Sequence, residues 1–130
     1  MKKTLVLSLI VMILLAACKK DKKETSISLK GKWTIENLIQ KEYENGVLTD
    51  TETLPGGGVT YDFQDDGNLA ISFPGSGIEY FPYTIKPDSK VEIDGDIIEV
   101  RNLTATTVTL FFHEYISPNE YTELFLNLKR

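Results

Sequence analysis

From Leu29 onward, short apolar runs rich in Val, Ile, Thr, Tyr and Phe alternate with clusters of Gly, Asp, Asn and Pro, and no segment sustains a helical period. Turn signals recurring every 8 to 12 residues predict an antiparallel sandwich or barrel. The pattern predicts strands over 31–43, 47–53, 58–63, 69–73, 78–85, 91–94, 97–102, 107–115 and 121–129. Asn45-Gly46, Asp66-Gly67 and Asp94-Gly95 tolerate the positive φ that tight hairpins demand, which makes local hairpins of the strands flanking each dipeptide. Pro55 to Gly58 and Pro74 to Gly77 predict looser connections. Within strands the period of two sorts the side chains. Leu124, Leu126 and Leu128 share one side, Glu123, Phe125 and Asn127 the other, and Val108, Leu110, Phe112 and Leu69, Ile71, Phe73 form matching inward sets.

The hydrophobic pattern before this domain is of another kind. Lys2 and Lys3 precede an apolar run from Leu5 to Leu15 that is broken only by Ser8, and small Ala16 and Ala17 follow. This is the layout of a cleaved secretory signal. A spanning helix needs about 20 apolar residues, and the lysines from Lys19 onward end the run too early. Leu15-Ala16-Ala17-Cys18 resembles the lipobox of bacterial lipoproteins. The resemblance implies cleavage between Ala17 and Cys18, a lipid on the Cys18 thiol, and a location in the cell envelope. Lys19 stands where such lipoproteins carry an Asp for inner-membrane retention, so the expected destination is the outer membrane of a Gram-negative bacterium. Several acyl chains on Cys18 anchor a protein stably, because each buried methylene contributes about 0.8 kcal/mol.

Three divisions follow: a signal peptide over 1–17, a lipidated tether over 18–28, and a single β domain over 29–130. The tether opens with Lys-Lys-Asp-Lys-Lys-Glu after Cys18 and lacks apolar periodicity, which predicts an extended spacer. At roughly 3.5 Å per residue it reaches about 35 Å from the lipid. Cys18 is the only cysteine, so the domain has no disulfide to draw on and depends on its core. Loss of Lys2 and Lys3 with the signal shifts the formal charge from −5 to −7, which argues against a nucleic-acid partner.

Gly31-Lys32-Trp33 opens the first strand and carries the only tryptophan. Followed by a meander of strands, it resembles the first-strand motif of lipocalins, and the pattern over 29–130 is similar to the small lipocalin-like domains of bacterial lipoproteins. The segment from Tyr61 to Leu69 resembles a recurring aromatic and acidic-turn hairpin of those domains. The resemblance implies an up-and-down barrel of eight or nine short strands. It also implies that Gly31 and Trp33 close one end, with Trp33 covered by a basic side chain; Lys129 and Arg130 are the candidates. The chain departs from the lipocalin pattern in lacking a Thr-Asp-Tyr motif and in its shortness, which leaves less room for a deep cup. A barrel of eight strands is either filled by side chains or holds one small ligand.

For a ligand, Tyr61, Phe63, Tyr80, Tyr83, Phe112 and Tyr115 are the candidate cavity lining, although such aromatics are more often ordinary sheet packing. Catalysis is not expected. His113 is the sole histidine, its neighbour Glu114 points to the opposite face of a strand, and no nucleophile elbow accompanies them. Asp62, Asp65, Asp66 and Asn68 crowd one turn but lack the calcium loop that ends in glutamate, and no zinc spacing exists, so neither a metal nor another cofactor is expected. The expectation is a noncatalytic module held to a membrane that binds a small apolar or amphipathic ligand; the alternative is a structural or protein-interaction β module with a filled core, no ligand and an unidentified protein partner.

Overall fold

The computed structural model describes residues 28–130. Ala17, Cys18 and the signal and tether predictions before Ser28 lie outside the described residues. Among the described residues nine antiparallel strands form: β1 (Gly31–Glu44), β2 (Val47–Pro55), β3 (Thr60–Phe63), β4 (Asn68–Phe73), β5 (Gly77–Lys86), β6 (Lys90–Ile93), β7 (Asp96–Arg101), β8 (Thr107–Ser117) and β9 (Glu120–Lys129). Each falls on a predicted strand, and the ends differ by at most two residues.

β1 organises the barrel because it is long enough to serve three partners. One edge takes β9, from Thr34 opposite Lys129 to Tyr43 opposite Tyr121. Its other edge takes two strands in series, β3 on Gly31 to Thr34 and β2 on Asn37 to Glu44. The remaining strands follow in chain order, so eight strands close a barrel and β2 stays outside the wall. The reason lies in Pro55 to Gly58. Proline ends the ladder by its missing N–H, and the chain then presses so close to β1 that a Cβ on Gly56 would meet the Ile35 carbonyl oxygen at 1.9 Å. The register of β1 against β9 slips by one residue at Glu36, opposite this jog.

The lower barrel is filled. Trp33, Phe63, Leu69, Val91, Val108, Leu110 and Leu128 are at most 2% exposed, and Leu29 caps them from below. At this base Trp33 donates its indole N–H to the Leu29 carbonyl at 2.8 Å. Of the two candidates for its cover, Arg130 is the one in place, its guanidinium 4.0 Å from the Trp33 ring. The same guanidinium hydrogen-bonds the carbonyls of Ala105, Lys30 and Ser28, which laces the first strand to the loop before β8. Gly31 has φ +106°, and a Cβ there would stand 3.2 Å from the Arg130 Nη1.

Above the body, β7 pairs with β8 only through Glu99 to Arg101, so β8, β9, β1 and β2 continue upward as a four-stranded blade. Its two turns are pinned together by the Gly46 N–H on the Asn119 carbonyl at 3.1 Å. The predicted inward sets hold in phase but not in depth: Leu126, Val108 and Ile71 are buried, while Leu124 and Phe112 are half-buried and Phe73 is exposed, because the opposite wall ends below them.

Candidate functional site

The base of the barrel is open on one side. The β5–β6 turn, the loop after β7 and the incoming chain surround a hollow of about 520 Å³, open to solvent and lined by Ser28, Leu29, Ile85, Lys90, Val100 and Leu103 among others. Turn geometry holds it open: Asp88, Ser89 and Asn102 take positive φ, and the Val100 N–H donates to the Ser89 carbonyl at 2.7 Å. Ile85 is the informative residue. Its register opposite Val91 directs it to the inner face, yet Val91 is 0% exposed and Ile85 46%. Among the described residues the wall thus presents an inward apolar side chain that stays about half exposed. Lys86 and Lys90 are cross-strand partners at this rim, and Lys86 is bridged to Glu92 at 3.1 Å. The floor is apolar and the rim polar.

A second hollow, about 440 Å³, lies in the notch above the β7–β8 pairing, between Asp96 to Ile98 and Phe112 to Glu114. Around the blade the outer face carries aromatic rows. Tyr43 stacks on Tyr121 at 4.6 Å, and Phe111 meets Phe125 at 4.8 Å and the edge of His113 at 4.6 Å. The Arg101 guanidinium lies 3.5 Å from the Phe111 ring and leaves Phe111 2% exposed, although it faces away from the barrel interior. His113 Nε2 is 3.5 Å from Glu123 across the strands. A hydrogen bond to the Glu123 carboxylate, aided by burial and the same negative charge, pushes the Tyr43 phenol up to about 12.

The six aromatics put forward as a cavity lining do not share one space. Phe63 and Tyr83 meet edge to face at 5.1 Å inside the core, with Tyr61 beside them. The Tyr83 hydroxyl donates to the Gln64 carbonyl, and burial, reinforced by Asp65, Asp66 and Asp62, raises its pKa. Burial alone raises that of Tyr61. Phe112 borders the upper notch. Tyr80 is 60% and Tyr115 64% exposed, on the wall and at the blade tip. Comparison with protein-family models, with curated proteins and with solved structures finds no match.

Asp66 accepts from the Asn68 N–H and Asp65 bridges Lys30 at 3.5 Å, so the acidic turn works as a hairpin tip. No cluster of three or more potential metal-binding side chains occurs among the described residues. Sequence reading missed Ile85, Leu29 and Leu103 as site residues. The signal for Ile85 was present, since it alternates in phase with Tyr83; what alternation does not give is how far along the barrel axis the wall extends.

Proposed function

We propose that this chain is a noncatalytic lipoprotein of the cell envelope, anchored through Cys18 in the outer membrane, whose lipocalin-like barrel binds a small amphipathic molecule at the open base. The observation that carries this reading is the half-exposed, inward-facing Ile85 in the lining of the 520 Å³ hollow. That volume falls within the usual range of small-molecule sites, roughly 300 to 1,000 Å³. Ser28, where the tether joins, is itself part of the lining, so a molecule leaving the membrane would meet the base first. The lipobox supports the anchor, and the filled lower body directs the ligand to the mouth rather than the interior.

The test is native mass spectrometry of the full chain extracted in mild detergent after exposure to envelope lipid extract. The wild type should retain a defined mass beyond its own acyl groups, and Ile85→Lys should lose it. Equal retention by both would remove the base as the site. Cys18→Ala should leave an uncleaved or unanchored product, and unchanged membrane retention would refute the anchor. A second reading, a protein-interaction module, is favoured by the blade, whose exposed Val47, Leu48, Tyr115 and Ile116 project from the packed body.

A further inference from the structure

We propose that the free edge of β2 is a docking site for an extended, basic segment of another protein, which adds to the blade as a further strand. This stands independently of the ligand at the base. Among the described residues β2 is the outermost strand of its sheet, with β1 as its one neighbour, and all nine of its residues are exposed. At about 3.3 Å per residue it offers roughly 30 Å of backbone whose outward donors and acceptors lack a ladder. Such an edge gains main-chain hydrogen bonds from an added strand, and the side chains beside it select the partner.

Charge makes that selection. Asp50, Glu52 and Leu54 alternate onto one face of β2, and Asp50 sits opposite Glu42 on β1. In the next strands of the same row Glu42 faces Thr122, and Thr122 faces Glu114, so three carboxylates occupy one line across the blade. The hairpin from Glu36 to Pro55 holds five acids and one lysine. That lysine, Lys41, is engaged elsewhere, its amine 5.1 Å from the Phe125 ring on the other face. No salt bridge reaches Glu42, Asp50, Glu52 or Glu114 among the described residues.

A second copy of the chain is a poor occupant. Antiparallel pairing of β2 about Thr51 would set Asp50 against Glu52 twice, and parallel pairing in register would set each acid against itself. Like charges directly opposite destabilise a strand pair. The same carboxylates that forbid self-pairing attract a strand with Lys or Arg at alternate positions. An apolar residue two places before the first base would meet Leu54.

The probe is the labelled peptide acetyl-Thr-Val-Thr-Lys-Thr-Lys-Thr-amide, titrated against the full chain in mild detergent by fluorescence anisotropy, with amide exchange read along β2. Binding should slow exchange at alternate β2 amides. It should weaken at least tenfold when the peptide lysines become glutamates, and again when its alternate backbone nitrogens are methylated. The Asp50→Lys/Glu52→Lys variant should reverse the preference and take the glutamate peptide, with its unfolding transition unmoved because both residues lie outside the barrel wall. Undiminished binding by the methylated peptide, or no change of preference in the variant, would overturn the proposal. Failure of the peptide to bind, with concentration-dependent dimerisation of the chain instead, would assign the edge to self-association and overturn it equally.

Discussion

Replacing Arg130 with alanine removes the lid of Trp33 and three hydrogen bonds at one stroke. The guanidinium is at the surface, so its contact with the indole is worth about 0.5–1 kcal/mol. Each exposed hydrogen bond adds about 0.5 kcal/mol, at the low end of the range because water competes for the same donors. The expected loss is therefore about 2 kcal/mol, or roughly 8–16 °C in Tm for a domain of this size. Urea unfolding followed by fluorescence measures it directly, since Trp33 is the only tryptophan and is 0% exposed. Arg130→Lys should recover less than half, because an ammonium lacks the planar fork that spans three carbonyls. A double-mutant cycle with Trp33→Phe, read by circular dichroism, should give a coupling of about 0.5–1 kcal/mol. An Arg130→Ala midpoint within error of wild type, at unchanged m-value, would refute the clamp.

Leu128→Ala should cost about 3 kcal/mol by opening a cavity in the filled body, while Leu124→Ala, on the same side of β9 but half-buried, should cost about 1 kcal/mol; chemical denaturation compares them. Tyr43, whose pKa rises from 10.0 to about 12, holds its proton more tightly folded than unfolded. Its contribution to stability is then complete below pH 10 and lost as pH climbs towards 12. Glu123→Gln should return the phenol towards its ordinary titration, visible in its ultraviolet absorbance.

The turns were legible in the sequence because their chemistry is local. Asn45 and Gly46, like Asp94 and Gly95, all take positive φ. At Asp66-Gly67 only the glycine does, and the Asp66 carboxylate bonds the Asn68 N–H instead. A basic cover for Trp33 was expected from the resemblance of Gly31-Lys32-Trp33 to a first-strand motif, but with Lys129 and Arg130 both open; only the folded chain seats Arg130 there. What escaped depends on register between distant strands. Alternation placed Glu114 behind His113 correctly, but Glu123 comes beside His113 only through the pairing of β8 with β9. Phe111 reads as outward and is outward, yet Arg101 and Phe125 bury it. Nor does local pattern reveal that β2, nine residues long and alternating like its neighbours, is left outside the wall.

Closure through β1 and β9 also governs when the molecule becomes a barrel. Thr34 and Lys129 are adjacent in the ladder and nearly the whole domain apart in sequence, so the loop that must be closed spans all the intervening strands. In a chain released N-terminus first, β1 can acquire β2 and β3 early but waits with one bare edge until β9 arrives. The domain is thus committed to a late closing step, and the interval before it is when the chain is most open to mispairing.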